Sequence, residues 1–445
     1  MSLTVTEPGR VRVRVHPLRA EVLRGFAPWA GLAVFLTVGA LLGATADRWQ
    51  GGWAETRTEL HSVLLIVVPL AAAAGCRQGG RERRRRTEEL WGTAARGPLA
   101  RFLASALPLA AWVTAGYVAV TAGAMLATWP YARGDRPYLD LLPADAVAVG
   151  AAAVAGQVVG RLVSWRPAAP LLGVGGYVAL GLSSWGETES AGRYLNPALP
   201  VPESMVPAAW QPVAAAVWTA GLAAASVLAY AARRRYTALL PLAAATAAGA
   251  LLVQGGAGWW HTDPVGARQV CDASTTPQIC VSARYGELLP QVRTALSGVT
   301  GPLDGVRNLP VRFEDRPGEP RPDEAELPML TPMGWSFVRG RLTDPEQYAW
   351  EAVMALQNRG DCEGPLDPRV SRADDAVQIL LAPSPARGHF DELDANGDES
   401  ARAELRERRA ARARLASMDA DERRTWLSAY FATAGDCDPD EVPAL

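Results

Sequence analysis

Residues 26–260 hold about seven apolar stretches, each near the twenty residues that a helix needs to cross a hydrocarbon core about 30 Å thick. They cover 26–46, roughly 58–76, 102–128, 144–165, 168–185, 212–232 and 239–260. A backbone in lipid must satisfy its polar groups internally, and helices do so within one segment. The sequence therefore predicts an all-α polytopic membrane bundle with a different kind of region behind it. Beyond about residue 260, Arg, Asp, Glu and Pro replace the Ala, Leu, Val and Gly of the first part. Three parts follow: a basic arm over 1–25, a transmembrane domain over 26–260, and a soluble domain over 261–445. Several stretches are Ala-rich and only moderately hydrophobic, which suits helices that face other helices.

Aromatic residues mark the ends of these stretches. Trp29, Trp49, Trp129, Tyr131, Trp165, Trp185, Trp210, Trp259 and Trp260 fall where amphipathic rings favour the headgroup level. Small residues recur four apart at Gly39 and Gly43 and at Gly156 and Gly160, a spacing that lets helix backbones approach. Gly is abundant throughout, so such a pair also arises from composition alone.

Arginine placement gives a direction. The arm holds Arg10, Arg12, Arg14, Arg19 and Arg24, and the connection after the second stretch runs from Arg77 through Arg81, Arg83, Arg84, Arg85 and Arg86 to Arg96 and Arg101. Arg161 and Arg166 follow the fourth stretch; Arg233, Arg234 and Arg235 follow the sixth. With seven alternating helices all four segments share a side, which the positive-inside rule makes cytoplasmic. The loops opposite are acidic or mixed, with Asp47, Glu55, Asp135, Asp140, Asp145, Glu187 and Glu189. The expectation is a multi-pass protein of a bacterial plasma membrane, N-terminus inside and C-terminal domain outside. Ala44-Thr45-Ala46 has the form of a signal-cleavage site, but the apolar run before it is longer than such signals use.

Four of the five cysteines, Cys271, Cys280, Cys362 and Cys437, lie in the region expected outside. An even set there reads as two disulfides. Of three pairings, Cys271 with Cys280 is favoured because it closes a small loop, and Cys362 with Cys437 because it ties down the last helix. A zinc site is the weaker alternative, since no C-x-x-C spacing occurs. Cys76, at the end of the second stretch, reads as a small packed hydrophobe.

The C-terminal domain reads as α+β or mainly helical. Strands are expected near 278–281 and 310–313, a helix over 287–299, and a solvated loop over 316–328. Thr343 with Glu346 predicts a capping box opening a helix to about Gln357, with Tyr348, Trp350, Val353 and Met354 as core. Asp419 with Glu422 predicts another, carrying Trp426, Leu427, Tyr430 and Phe431; residues 401–416 predict an exposed helix. The run from Glu392 through Asp394, Asn396 and Asp398 to Ser400 resembles the start of an EF-hand loop, but Ala403 stands where a bidentate Glu is needed. A solvated acidic turn is preferred there, and no metal or cofactor is expected.

Composition excludes several functions. The formal net charge is −2 and no basic groove with interleaved aromatics appears, so nucleic acid is not an expected partner. All 44 basic residues are arginine, so neither a phosphate-loop lysine nor a Schiff-base lysine can exist. ATP, if it drives this protein, must bind another chain. No HExxH, GxSxG or Cys/His arrangement occurs, His261 and His389 stand alone, and no catalytic residue is assigned. The protein is read as non-enzymatic.

The most distinctive segment lies between the second and third stretches. An Arg-dense run including Arg83, Arg84, Arg85 and Arg86 leads into Glu88, Glu89, Leu90 and Trp91, then past Gly97-Pro98 into the third stretch. This layout resembles the cytoplasmic link of ABC-2-type exporter permeases, in which a short amphipathic helix docks on a separate ATPase subunit. The resemblance covers roughly residues 20–260 and is loose in sequence. It implies that 87–95 form a coupling helix, that Arg83 to Trp91 contact a separately encoded ABC ATPase, and that permease subunits pair as homo- or heterodimers. A seventh stretch and a large C-terminal domain depart from that family. The alternative is a membrane-anchored external binding or signalling protein whose arginines only fix topology and touch anionic lipid. Gln157 and Arg161 sit one turn apart within the fourth stretch, where Arg161 can snorkel. No buried Asp, Glu or His relay is visible, which speaks against a proton-coupled carrier.

Overall fold

The computed structural model describes residues 25–84, 97–132, 136–163, 165–185, 191–201, 203–316, 320–330, 336–360, 362, 364, 366–437 and 440–445. Its first part is a helical bundle: α1 (Ala27–Ala44), α2 (Trp53–Ser62), α3 (Leu64–Gly79), α4 (Pro98–Thr128), α5 (Leu142–Leu162), α6 (Ala168–Trp185), α7 (Gln211–Ala231) and α8 (Leu239–Gly255). Among the described residues six segments are long and apolar enough to cross a membrane: Ala27–Ala44, Trp53–Gly79, Pro98–Thr128, Leu142–Leu162, Gln211–Ala231 and Arg235–Trp259. The expected fifth stretch is apolar but shorter, Ala168–Ser184. About seven spans therefore become six long helical segments and one shorter helix.

Helix α2 begins at Trp53, earlier than the apolar core suggests, and meets α3 at Val63, so both act as one rod of 27 residues, about 40 Å long. The core of the bundle is Val34, Val38, Leu60, Leu64, Val67, Leu109, Val113, Tyr117 and Val149. Principal packings are α3 on α5, α1 on α4, α7 on α5 and α8, and α6 on α3.

Glycines set how close these helices lie. A Cβ on Gly156 or Gly160 of α5 would strike the carbonyl oxygens of Ala72 and Cys76 on α3. One on Gly75 or Gly79 of α3 would strike Ala153 and Gln157 of α5. The seam is thus reciprocal, two small-x-x-x-small pairs in register. Gly31 of α1 and Gly116 of α4 meet in the same way. Gly39 and Gly43 do not form such a contact: the first lies at ordinary distance from Val120, and the second faces open space.

The C-terminal region contains a four-stranded sheet ordered β3 (Gln269–Asp272), β4 (Gln278–Ser282), β5 (Arg312–Glu314) and β6 (Glu324–Glu326). The β3–β4 pair is antiparallel; β4–β5 and β5–β6 are parallel. Helices α9 (Leu289–Ala295), α10 (Pro345–Gln357), α11 (Pro368–Leu381), α12 (Arg387–Ala395), α13 (Glu399–Ser417) and α14 (Ala420–Phe431) accompany it. One core joins sheet and helices through Ile279, Val281, Phe313, Val292, Leu296, Val353, Val377, Leu427 and Tyr430. A two-stranded ribbon, β1 (Met205–Pro207) with β2 (Trp260–Thr262), ties the chain before α7 to the chain leaving α8.

Several local expectations change. The expected loop over 316–328 contains β6, because Glu324 is buried among Arg312, Arg316 and Arg321 and Ala325 enters the core. Asp344, rather than Thr343, caps α10 by accepting from the Gln347 amide at 3.0 Å. Met354 is exposed, Trp350 and Trp426 are half-buried, and α13 buries Leu405, Ala411 and Leu415. The Asp419 and Glu422 capping box on α14 is present. Cys271 and Cys280 are directly opposite on β3 and β4 and are bonded, Cα atoms 4.0 Å apart; Cys362 is bonded to Cys437 across 5.9 Å. Cys76 is a buried thiol.

Candidate functional site

Helix α2 carries an unusual load for a membrane segment. Glu55, Thr56 and Arg57 are at most 1% exposed and His61 is 8% exposed. Arg57 and His61 are four residues apart and so share a face. Burying such groups is costly unless each finds a partner, and the partners come from three directions.

The first direction is the rest of the bundle. His61 Nδ1 lies 3.0 Å from Asp145 Oδ1, and Nε2 lies 3.1 Å from the Leu199 carbonyl, which fixes the Nε2 proton. Asp145 occupies the first turn of α5, where the helix dipole favours a negative charge. The Tyr117 hydroxyl lies 3.3 Å from Asp145 Oδ2 and from the Leu60 carbonyl, and the Thr56 and Thr128 hydroxyls are 2.7 Å apart. Beside the imidazole is a cavity of about 40 Å³ walled by Tyr194, Trp218, Trp259 and Trp260, with Asn196 and Gln211 as polar lining. That is space for about two waters.

The second direction is the chain around 136–141 and 203–207. Arg57 donates to the Met205 carbonyl at 2.7 Å, lies 3.6 Å from Asp140, and stacks over the Tyr138 ring at 5.0 Å. The third is the C-terminal region. The Tyr285 hydroxyl donates to Glu55. Tyr138 donates to Asp263 at 2.5 Å, and Arg284 pairs with the same Asp263 oxygen at 2.7 Å. The Val265 and Gly266 amides also donate to Asp263. Burial opposes ionisation of Asp263, but these donors outweigh it and hold its carboxyl below the usual range. Burial, and then the charge of Glu55, push the Tyr285 phenol well up, so it stays a donor.

The result is one polar junction in which α2 is bonded to a residue 230 positions later. Buried pairs of this kind add little net stability, but losing one partner is expensive. Chemically, the His61–Asp145 pair can hold or pass a proton. Among the described residues no group of three or more His, Cys, Asp or Glu could hold a metal ion.

This junction corrects the expectation that no Asp, Glu or His relay is buried. His61, Asp145 and Tyr117 form a buried hydrogen-bonded cluster, yet Glu55 and Asp145 read from sequence as loop charges because the apolar cores begin after them. The available signal was positional: one helix carrying Glu55, Arg57 and His61 ahead of a membrane-length run, and an Asp at the start of another.

Of the expected coupling residues, Arg83 and Arg84 are described; Arg85, Arg86, Glu88, Glu89, Leu90 and Trp91 lie outside the described residues. Arg83 donates to the Arg161 carbonyl and Arg84 to the Arg77 carbonyl, so both turn back onto helix ends. Arg161 donates to Ser105 at 3.0 Å and stacks over Phe102 at 5.2 Å. In the EF-hand-like run, Asp398 caps α13 and Asp394 pairs with Arg408, which suits a capped turn.

No family model, curated protein or solved structure matches the chain.

Proposed function

We propose that this chain is the membrane-spanning, permease-like subunit of an export system driven by a separately encoded ATPase of the ABC-2 kind. One observation carries the reading. The α2–α3 rod bears the polar junction with the C-terminal region at one end, and at the other leads through Gly80 into the arginine-rich connection. A push on that connection acts along α3, through its glycine seam with α5, on the junction of buried charges. A rod joined at both ends suits a subunit that converts the closure of a nucleotide-binding partner into movement of spans and outer domain together. In this reading the connection is cytoplasmic and the disulfide-bearing region lies outside.

The second reading, an anchored external binding or signalling protein, is favoured by an open groove of about 780 Å³ on the C-terminal region, lined by Pro290, Gln291, Leu342, Ala349 and Leu381. Affinity capture of the full chain from detergent extract separates the two. The exporter reading expects an ATPase subunit to co-purify, and expects Trp91→Ala to lose it, since a buried Trp is worth about 2 kcal/mol or more at an interface. Capture of no ATPase by the wild-type chain rejects the exporter and favours the second reading.

A further inference from the structure

The end of the bundle opposite the polar junction contains a second built feature. The last turn of α3, the last turn of α5 and the first turn of α6 enclose a pocket of about 220 Å³. Its lining includes Arg83, Arg84 and Arg166, with Trp165 and the backbone at Gly80 and Gly160. Among the described lining residues none is acidic. Gly160 belongs to the seam that brings α3 and α5 together and Gly80 follows the end of α3, so the pocket floor is backbone and the arginines stand around it.

A plainer role for these arginines is capping. Arg83 and Arg84 each donate to a carbonyl at a helix end, where cations are favoured. For Arg84 that is one bond, and a guanidinium carries five N–H donors in a planar fork. Capping also leaves Arg166 without a purpose in the pocket. Burial, and then the neighbouring Arg77, with Arg166 adding to it against the pull of Cys76, lower the hold of Arg84 on its proton. An anion in the pocket relieves that repulsion. The level in the bundle says which anion. Leu162 (64% exposed), Val163 (41%) and Trp165 (61%) form an apolar and aromatic shelf beside the arginines. Aromatic rings at helix ends favour the depth where headgroups meet acyl chains.

We propose that this pocket binds the phosphate group of an anionic phospholipid, with Arg84 and Arg166 on the phosphodiester oxygens and the acyl region against Trp165 and Val163. Basic pockets between membrane helices suit such headgroups, each arginine being worth about 1 kcal/mol or about fivefold in affinity. The site is independent of whether an ATPase binds the connection beyond Arg84.

The test uses the full chain in neutral detergent, with thermal unfolding followed by tryptophan fluorescence while phosphatidylglycerol, phosphatidylcholine or inorganic phosphate is added. Phosphatidylglycerol raises the unfolding midpoint, and phosphatidylcholine does not. The double variant Arg84→Gln with Arg166→Gln requires about thirtyfold more phosphatidylglycerol for the same rise. The exposed pair Arg233→Gln with Arg234→Gln, in the connection before α8, keeps the wild-type response. Should the double variant not fold, Arg166→Lys retains the charge but loses the fork, and its titration shifts in the same direction by a smaller factor. An unchanged response in the pocket variants, or an equal loss in the Arg233 and Arg234 pair, overturns the pocket. A full response to inorganic phosphate alone overturns the lipid and leaves a free-anion site.

Discussion

The His61 imidazole meets an acceptor at each nitrogen, and Asp145 is 3% exposed with Tyr117 as its other neighbour. His61→Ala therefore leaves a buried carboxylate short of its main partner, a change that costs about 3 kcal/mol or more. Chemical unfolding of the detergent-solubilised chain measures it; a loss under about 1 kcal/mol would mean that the pair is solvated rather than sealed. A different titration belongs to Asp315, next to β5. Burial pushes its carboxyl up to about 7, against an amide hydrogen bond from Ser282 and the charge of Arg284, with Glu314 and Glu326 adding to the rise. The unfolded chain releases this proton near pH 3.9. Between about pH 4 and 7 the folded state alone retains it, so this residue's contribution to stability falls as pH rises through that window and is level above it. Asp315→Asn removes the slope. The variant should melt a few degrees above wild type at pH 8 and together with it at pH 4; parallel melting curves for the two proteins across that range would refute the assignment.

At the scale of elements, the α3–α5 seam makes the sharpest demand. A Cβ on Gly156 collides with backbone of Ala72, which cannot rotate away as a side chain could. Gly156→Val must separate the helices and should cost about 1–3 kcal/mol, the usual range for overpacking. Gly43→Val, at the same spacing class but facing open space, should cost far less. Thermal melts of both variants decide it, and equal losses would show that the seam is not a close contact. This contrast also shows what the sequence could carry. Spacing proposes Gly39 with Gly43 and Gly156 with Gly160 on equal terms, because a period of four says which residues share a face but not what faces them. The apolar runs fix where helices lie within a few residues, yet they misplace the start of α2, whose first turns are polar and are held by a region far along the chain. Strand β6 reads as a loop in sequence for a related reason: Glu324 looks solvated until three arginines surround it. Capping chemistry, being local, was legible at Asp419 and off by one at Asp344.

Over the whole molecule, the two halves that composition separates are closed into one body by Glu55, Arg57 and Tyr138 on one side and Asp263, Arg284 and Tyr285 on the other. Nothing in either half's composition announces that junction, since each residue alone passes for a loop charge or an interfacial aromatic. The cysteines are different: their confinement to one region indicates two disulfides, and the short loop between Cys271 and Cys280 favours the pairing that the structure has. The junction also imposes an order in time. Glu55 is made 230 residues before Tyr285, a gap of roughly 10 to 50 s at ordinary rates of synthesis. During that interval α2 has left the ribosome with its charged face uncovered, and the C-terminal region must be finished before that face can be closed. The last-made part of the chain thus completes the insertion of one of the first.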